Sequence, residues 1–305
     1  MGPCSAGRAR SAAGFRIGIE GSGSYGGGAA RRLVEAGADV REVPPQLSHR
    51  ERVRTRRAGK TDAGDALAIA RVTAREAELP PVRVADATRE IHLLVEARED
   101  LAAEATRVRN RLHADLVALV PGYGGKLANL VAARHRTHAG RLLRTRSGIQ
   151  AELARERLAR LNRLLVDANA LEARLGRLVK GHPLRSLKGV GVLTAAKLIG
   201  EAGDVRRFRS ADAFAMLAGV APIPASSGQI KRMRLNRGGN RQLNRGLHTI
   251  ALSQAQHHPP ARAYIARKRE EGKTWREAMR SLKTLLSRVV FRLLEQGTAW
   301  AQIAA

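Results

Sequence analysis

The sequence is poor in cysteine, in aromatic residues and in acidic side chains. Cys4 is the one cysteine among 305 residues, which excludes a disulfide framework and a cysteine-based zinc site and favours a reducing, cytoplasmic setting. Aromatic residues make up 3% of the sequence, which argues against single-strand binding dominated by the stacking of bases on aromatic side chains. The nine histidines show no HxH or HExxH spacing, and no apolar run approaches the roughly 20 residues of a membrane span. We therefore expect neither a histidine metal site nor a membrane partner.

Positive charge dominates the composition. The 55 basic residues outnumber the 27 acidic ones, which gives a formal net charge of +28 and a pI near 11.7. A protein this cationic repels itself unless a polyanion neutralises it, so nucleic acid is the expected partner. Contacts from arginine to phosphate should supply most of the affinity, and binding should weaken steeply with salt.

The N-terminal region reads as a tail followed by a β-α-β unit. Residues 1–14 are small and dotted with arginine, which predicts a disordered tail rather than a targeting segment. Residues 15–20 alternate like a strand, and a glycine-rich loop, a helix to Ala36 and a second strand at 39–43 follow. This order places Glu20 at the C-terminal end of the first strand, where α/β folds build their sites.

Two further carboxylates open the next predicted helix. Thr61 or Asp62 would cap this helix, and Asp62 and Asp65, three residues apart, share one face. Together with Glu20 they are the oxygen ligands that Mg²⁺ prefers, and carboxylate-held metals are common in phosphodiester chemistry. Taken singly, each aspartate is more simply a cap or a favourable partner of the helix dipole. Spacing alone leaves a metal role and a structural role open.

From about Ala87 the pattern becomes helical. A first helical run ends at the break beginning with Pro121, and a second follows. The second run carries a seam with alternating steps of three and four residues, typical of a coiled coil: Leu161, Leu164, Ala168, Leu171, Leu175 and Leu178. Traced backwards, this seam reaches Ala154 but meets Arg157, so we predict a short one. The helical arm is either an intramolecular hairpin or a dimer seam.

The last region, from about Pro183, has the pattern of a helix-hairpin-helix. A hydrophobic run leads to the Gly189-Val190-Gly191 turn, and a new helix is predicted to start near Thr194. Such a turn directs backbone N–H groups outward at a helix N-terminus, which suits a phosphate. We therefore predict nucleic-acid contacts at Lys188, Gly189, Gly191 and Thr194. The region closes with an amphipathic helix from Trp275, whose apolar stripe we assign to the core.

A loop with two serines leads into a basic strip without any acidic residue. The strip consists of Lys231, Arg232, Arg234, Arg237, Arg241 and Arg245. It could be a solvated face, but next to the glycine turn and in so cationic a chain a phosphate contact is favoured. Ser226 and Ser227 precede it in a loop shaped by proline and glycine. Serines in such loops normally form turns, and a nucleophile is the functional alternative.

Several motifs, in the right order, resemble those of the DEDD transposases of insertion-sequence family one-ten, also called bridge-RNA-guided recombinases. The resemblance covers roughly residues 15–297. Its most specific pieces are IEGSGSYG (19–26), GKTDAGDA (59–66), LKGVG (187–191), FRS with LAGVAP (208–210 and 217–222), and SG with NRGGNR (227–228 and 236–241).

The resemblance implies both an architecture and a chemistry. The fold would be mixed and mostly α: a partial RNase-H-like (RuvC-like) α/β domain over residues 15–85, a helical coiled-coil region over 86–182 and an α-helical transposase domain over 183–305. Glu20, Asp62 and Asp65 match three acids of the set that holds Mg²⁺. Ser227 resembles the serine that attacks DNA and forms a covalent phosphoserine link.

The resemblance also implies partners. Members of this family work as oligomers, dimers or tetramers, in which the acidic domain of one subunit completes a site with the serine domain of another. Their partners are DNA and a structured guide RNA encoded by the element. The charge of this chain suits both.

One departure from the family pattern lies at the N-terminus. The family's first acid stands on a strand well upstream of the position of Glu20, and residues 1–14 supply no aspartate. We therefore expect that the chain starts inside the first domain, through truncation or a misassigned start, and that this domain folds poorly or is catalytically impaired. Two alternatives stay open: a nucleic-acid-binding remnant without activity, and a RuvC-like metal nuclease that acts through water.

Overall fold

The computed structural model describes residues 15–22, 25–54, 61–82, 87–123, 129–224, 233–234, 236 and 238–303. The chain forms two compact units, residues 1–86 and 87–305. The prediction of a mostly helical chain with a small α/β part is confirmed. In the part of the chain that is described, no helix is long and apolar enough to cross a membrane. The predicted tail at 1–14, Ser226, Ser227, Lys231, Arg232 and Arg237 lie outside the described residues.

The first unit contains the predicted β-α-β arrangement. Strands β1 and β2 pair in parallel, with Ile17 opposite Val40, and the crossover helix α1 connects them. Pro81 adds an isolated bridge to Arg41 of β2. The elements of this unit are β1 (Arg16–Ile19), α1 (Gly27–Glu35), β2 (Asp39–Glu42), α2 (Pro45–Arg54) and α3 (Asp62–Arg75).

Two small apolar clusters hold the first unit together. In one, Ala30 of α1 packs with Val40 of β2 and with Val82. In the other, Val43 meets Val72 of α3 and Leu79. The strands are thus covered by helices through few side chains, and α3 is brought against β1.

The second unit is built from helices. Between them lie 3₁₀ turns at Pro183–Ser186 and Val205–Arg207 and a short antiparallel ladder. Its elements are α4 (Ala87–Leu119), α5 (Ala133–Arg144), α6 (Ile149–Leu178), α7 (Val192–Ala202), α8 (Ala211–Leu217), β3 (Ile223–Pro224), β4 (Met233–Arg234), α9 (Arg241–His257), α10 (Pro259–Glu270) and α11 (Trp275–Ile303).

The two long helices α4 and α6 pack against each other within one chain. They run antiparallel, because Glu90 at the start of α4 pairs with Arg174 near the end of α6, whereas Asp115 near the end of α4 pairs with Arg157. Of the two arrangements that the sequence left open, the structure shows the intramolecular hairpin.

The apolar seam of α6 is longer than the sequence pattern predicted. Instead of ending at Arg157, it continues through Leu158 to Ala154 and Ala151, all of which are buried. A strict alternation of three and four does not describe this seam, because the steps from Leu158 to Leu161 and on to Leu164 are both three residues. Arg157 lies beside the seam and is neutralised by Asp115.

The main core of the second unit lies among α7, α8, α9 and α11. Phe214 of α8 is fully buried there and meets Phe208 edge-on, at 5.4 Å between ring centroids. The stripe of α11 predicted to be core is buried at Met279, Leu282 and Leu286, whereas Trp275 and Leu285, which were predicted with it, are exposed. The first turns of α4 and the last of α6 contribute to this same core, while the other end of the hairpin forms a separate cluster with α5.

Candidate functional site

Glu20 follows β1 directly, as predicted. Its carboxylate oxygen Oε2 accepts a hydrogen bond of 2.6 Å from the hydroxyl of Ser48. Ser48 is fully buried in α2, so this contact fixes the carboxylate at the C-terminal edge of the strand. The sequence did not point to Ser48, since a serine within a helix carries no pattern of its own.

Asp65 is brought to the same place by an arginine. A guanidinium nitrogen of Arg52 donates to Asp65 Oδ1 at 2.7 Å. Ser48 and Arg52 are four residues apart on α2 and therefore share a face. The hydrogen bond that Arg52 donates to Asp65 raises the pKa of Arg52, and the negative charges of Asp65 and Glu20 add to that effect against the cost of burial. Glu20 and Asp65 thus flank one cation.

The third predicted acid, Asp62, stands at the exposed first position of α3. The helix is capped by Thr61, one of the two predicted caps, whose hydroxyl accepts from the Gly64 N–H at 3.1 Å. Among the described residues, no three His, Cys, Asp or Glu side chains lie close enough together to hold a metal ion. The structure therefore brings two of the three predicted carboxylates, Glu20 and Asp65, to one cation, and the described residues form no ready-made metal site with Asp62.

Glu42 is a further residue of this edge that sequence reasoning missed. Its carboxylate accepts hydrogen bonds from the backbone N–H groups of Gly21 and Ser22, both at 3.1 Å. The signal was present in the strand order, because parallel neighbours end at the same edge and Glu42 lies opposite Ile19. Glu42 thereby holds the start of the glycine-rich loop next to Glu20.

In the second unit, the Gly189-Val190-Gly191 segment forms a tight turn. Gly189 has a φ of +88°, a conformation that favours glycine, and the Val190 N–H donates to the Leu187 carbonyl at 3.0 Å. Arg185 donates to the Val190 carbonyl at 3.1 Å. Helix α7 starts at Val192, two residues before the predicted start, because Gly191 already acts as its N-cap.

The turn is hydrogen-bonded to helix α9, which carries Arg241 and Arg245 of the basic strip. Gln254 of α9 donates to the Lys188 carbonyl at 2.8 Å. Arg241 and Arg245 are exposed on α9, four residues apart on one face. Arg234 lies in β4.

Thr194 and Arg245 line one cavity of about 230 Å³ between α4, α7 and α9. Lys197, in the same cavity, pairs with Glu99 of α4 and donates to the Gln242 side chain at 3.1 Å. The cavity therefore connects the predicted turn region with helix α9, and the ion pair of Lys197 and Glu99 forms part of its lining.

Carboxylates at a strand edge in one unit, and a glycine turn beside exposed arginines in the other, are features of proteins that act on nucleic acid. Two family models match the chain on these two parts. The model described as "Transposase IS116/IS110/IS902 family" matches residues 181–266, and the DEDD transposase model of IS110 elements matches residues 5–121.

Individual relatives agree with the family models. A 43.6 kDa protein of insertion element IS110 from Streptomyces coelicolor is 32% identical over 297 residues, which cover 78% of this chain and 71% of the relative. A 42 kDa protein of insertion element IS900 from Mycobacterium paratuberculosis is 29% identical, with 88% and 79% covered. A probable family 20 transposase from Pseudomonas aeruginosa is 31% identical, with 67% and 60% covered. The chain belongs to the IS116/IS110/IS902 family of transposases, enzymes that cut and rejoin DNA.

Proposed function

We propose that the chain is a DNA recombinase that moves an insertion sequence by cutting DNA strands with a serine nucleophile and rejoining them. The observation that carries the proposal is that both family models match, one over the residues with Glu20, Asp62 and Asp65 and the other over the residues with Ser227 and the basic strip. Neither a binding module nor a simple nuclease needs both parts.

The serine step conserves the phosphodiester energy. Ser227 Oγ attacks the phosphorus of a DNA phosphodiester, the Oγ–P bond forms, and the bond from phosphorus to one deoxyribose oxygen breaks. The serine loses its proton, and the departing sugar oxygen takes one up. Rejoining is the reverse step, in which a sugar hydroxyl of a second strand attacks the phosphoserine and releases Ser227. No external energy source is needed.

Glu20, Asp62 and Asp65 are the residues proposed to hold Mg²⁺. A divalent ion bound there supplies neutralising charge and polarisation to a phosphate oxygen. The oxygen donors of Glu20 and Asp65 suit such an ion, and Arg52, which they now flank, would have to turn away. While no ion is bound, Arg52 neutralises the two carboxylates.

The second unit is proposed to hold the nucleic acid. Lys188 and the Gly189-Val190-Gly191 turn at the start of α7, with Thr194, form the proposed helix-hairpin-helix contact with the backbone. The basic strip, with Arg241 at its described end, extends this surface. A structured guide RNA and a homo-oligomer in which one subunit supplies the acids and another the serine complete the proposal.

A covalent adduct tests the serine. Purified protein is incubated with cognate guide RNA, Mg²⁺ and end-labelled target DNA, and the labelled protein is separated on a denaturing gel. We expect an adduct with the natural chain and with Ser226→Ala, which is the matched control, and none with Ser227→Ala. Omitting the RNA or adding a chelator should abolish the adduct.

Each other result has a definite meaning. An adduct that survives Ser227→Ala removes Ser227 from the mechanism. Cleavage that leaves no adduct and persists in Ser227→Ala indicates a metal nuclease acting through water. DNA binding without cleavage under every condition indicates a binding remnant.

A further inference from the structure

A second cavity of the C-terminal unit has an unusual set of side chains. It measures about 630 Å³, which is in the range of ligand sites. Among the described residues that line it are three cationic side chains, one histidine and two asparagines, and none is acidic: Arg241, Asn244, Arg245, His248, Lys283 and Asn236.

Lys283 is a buried cation in the lining of this cavity. Its side chain, on α11, is 8% exposed, and its ammonium donates to Asn244 Oδ1 at 2.9 Å. No carboxylate of a described residue lies within ion-pairing distance of it. Burial and the nearby Arg280 lower the pKa of Lys283. A buried ammonium normally pairs with an anion, since its desolvation is costly.

The neighbouring cations would also interact favourably with an anion. Arg241 and Arg245 are one turn apart on α9, and like charges at this spacing repel each other. Burial and the charge of Lys283 lower the pKa of His248 on this helix. An anion in the cavity would relieve all of these costs at once.

The cavity is also lined by closely packed main chain at Gly219 and Gly239. A Cβ atom added to Gly239 would lie 2.3 Å from Gly219 Cα, so position 239 requires glycine, and Gly219 has a φ of +66°, a conformation that favours glycine. Asn244 ties this wall to the cations, because its Nδ2 donates to the carbonyls of Ala218 and Gly219, both at 3.0 Å, while its Oδ1 accepts from Lys283. Asn244 thus fixes the ammonium and the glycine wall in one arrangement.

We propose that this cavity binds a single phosphodiester of nucleic acid, with Lys283 as the buried cation and Arg241 and Arg245 at its mouth. A polyanion is favoured over a small free anion because the cavity is open and its arginines continue the basic strip. The inference deepens the proposed function, on which it rests for the nature of the polyanion, but it concerns binding and not cleavage.

Salt-dependent binding tests the proposal with the full chain. Fluorescence anisotropy gives the Kd for a labelled DNA duplex, and separately for an RNA duplex of equal length, over a range of NaCl concentrations. For Lys283→Met we expect about tenfold weaker binding at about 0.1 M salt and a salt slope reduced by about one. Arg245→Met, an exposed residue whose replacement spares the core, should reduce the slope similarly.

The matched control is Lys268→Met, which removes the same charge from a lysine already paired with Glu271 at 2.7 Å. It should leave the slope nearly unchanged. A loss confined to DNA or to RNA identifies the source of the phosphodiester. The proposal is overturned if Lys283→Met or Arg245→Met melts like the natural chain and binds both duplexes with unchanged affinity and slope. Because binding is measured without guide RNA or cleavage, failure of the serine chemistry would leave this result intact.

Discussion

His182 makes the stability of the helical unit depend on pH. It is buried in front of the 3₁₀ turn Pro183–Ser186, where its Nδ1 accepts from the Leu184 N–H at 3.1 Å. Burial lowers the pKa of His182 to about 4, whereas in the unfolded chain it is about 6.5. Above about pH 6.5 both states are neutral and the full stability is present. As the pH falls towards 4, only the unfolded chain gains a proton, so the free energy of unfolding decreases.

Urea unfolding followed by circular dichroism at pH 7 and pH 5 measures this effect. We expect His182 to contribute a loss of about 2 kcal/mol between the two pH values. His182→Asn is the matched control, because asparagine keeps an acceptor for the Leu184 N–H but does not titrate. The natural chain should therefore lose more stability than the variant on acidification. Equal losses in both proteins would show that His182 is protonated in the folded state.

The residues of the acidic edge show which single positions a sequence can reveal. The place of Glu20 and a cap at Thr61 or Asp62 were predictable because a strand end and a helix start are marked by local patterns. Ser48, Arg52 and Glu42 were not, since their roles depend on how α2 and β2 lie beside β1. A side chain whose partner is distant in sequence leaves no periodic signal, even where it decides which charges meet.

At the scale of elements, the hairpin of α4 and α6 should depend on its seam and not on its exposed face. Leu161 is 1% exposed in that seam, whereas Val166 on the same helix is 66% exposed. Leu161→Ala should lower the free energy of unfolding by about 2–5 kcal/mol, because a cavity remains where the side chain was. Val166→Ala should change it by less than about 0.5 kcal/mol. Urea unfolding of the two variants side by side makes the comparison.

Similar losses for both variants would mean that Val166 is covered by another chain, so that the hairpin has a second packing face. That outcome would favour the dimer seam which the sequence also allowed. The sequence could predict the two long helices, because their apolar spacing is regular over many turns. It could not choose the partner, since the same stripe packs equally well against a helix of its own chain or of a second one.

At the scale of the whole molecule, composition was informative about the partner but not about the arrangement. A net charge of +28 predicts a polyanion whatever the fold, because it depends only on counting residues. The packing of residues 87–305 depends instead on contacts between residues far apart in sequence, such as the contact of Ile91 with the C-terminal core. Those contacts carry no local signature, so the boundary predicted near 182 remains a prediction.

If one site is shared between two subunits, as proposed, two variants that are inactive alone should restore activity when they are mixed. Asp65→Asn removes an acid of the first unit, and Ser227→Ala removes the nucleophile of the second, so each variant should form no adduct by itself. If acids and serine come from different subunits, mixing the two variants restores some sites. When equal amounts of the two variants form dimers, half of the dimers contain one chain of each variant. Each mixed dimer has one intact site out of two, so about a quarter of the natural adduct should return. Adduct formation after co-refolding the variants measures this. No recovery, in a mixture shown by differently tagged subunits to contain mixed oligomers, would place acids and serine of one site in the same chain.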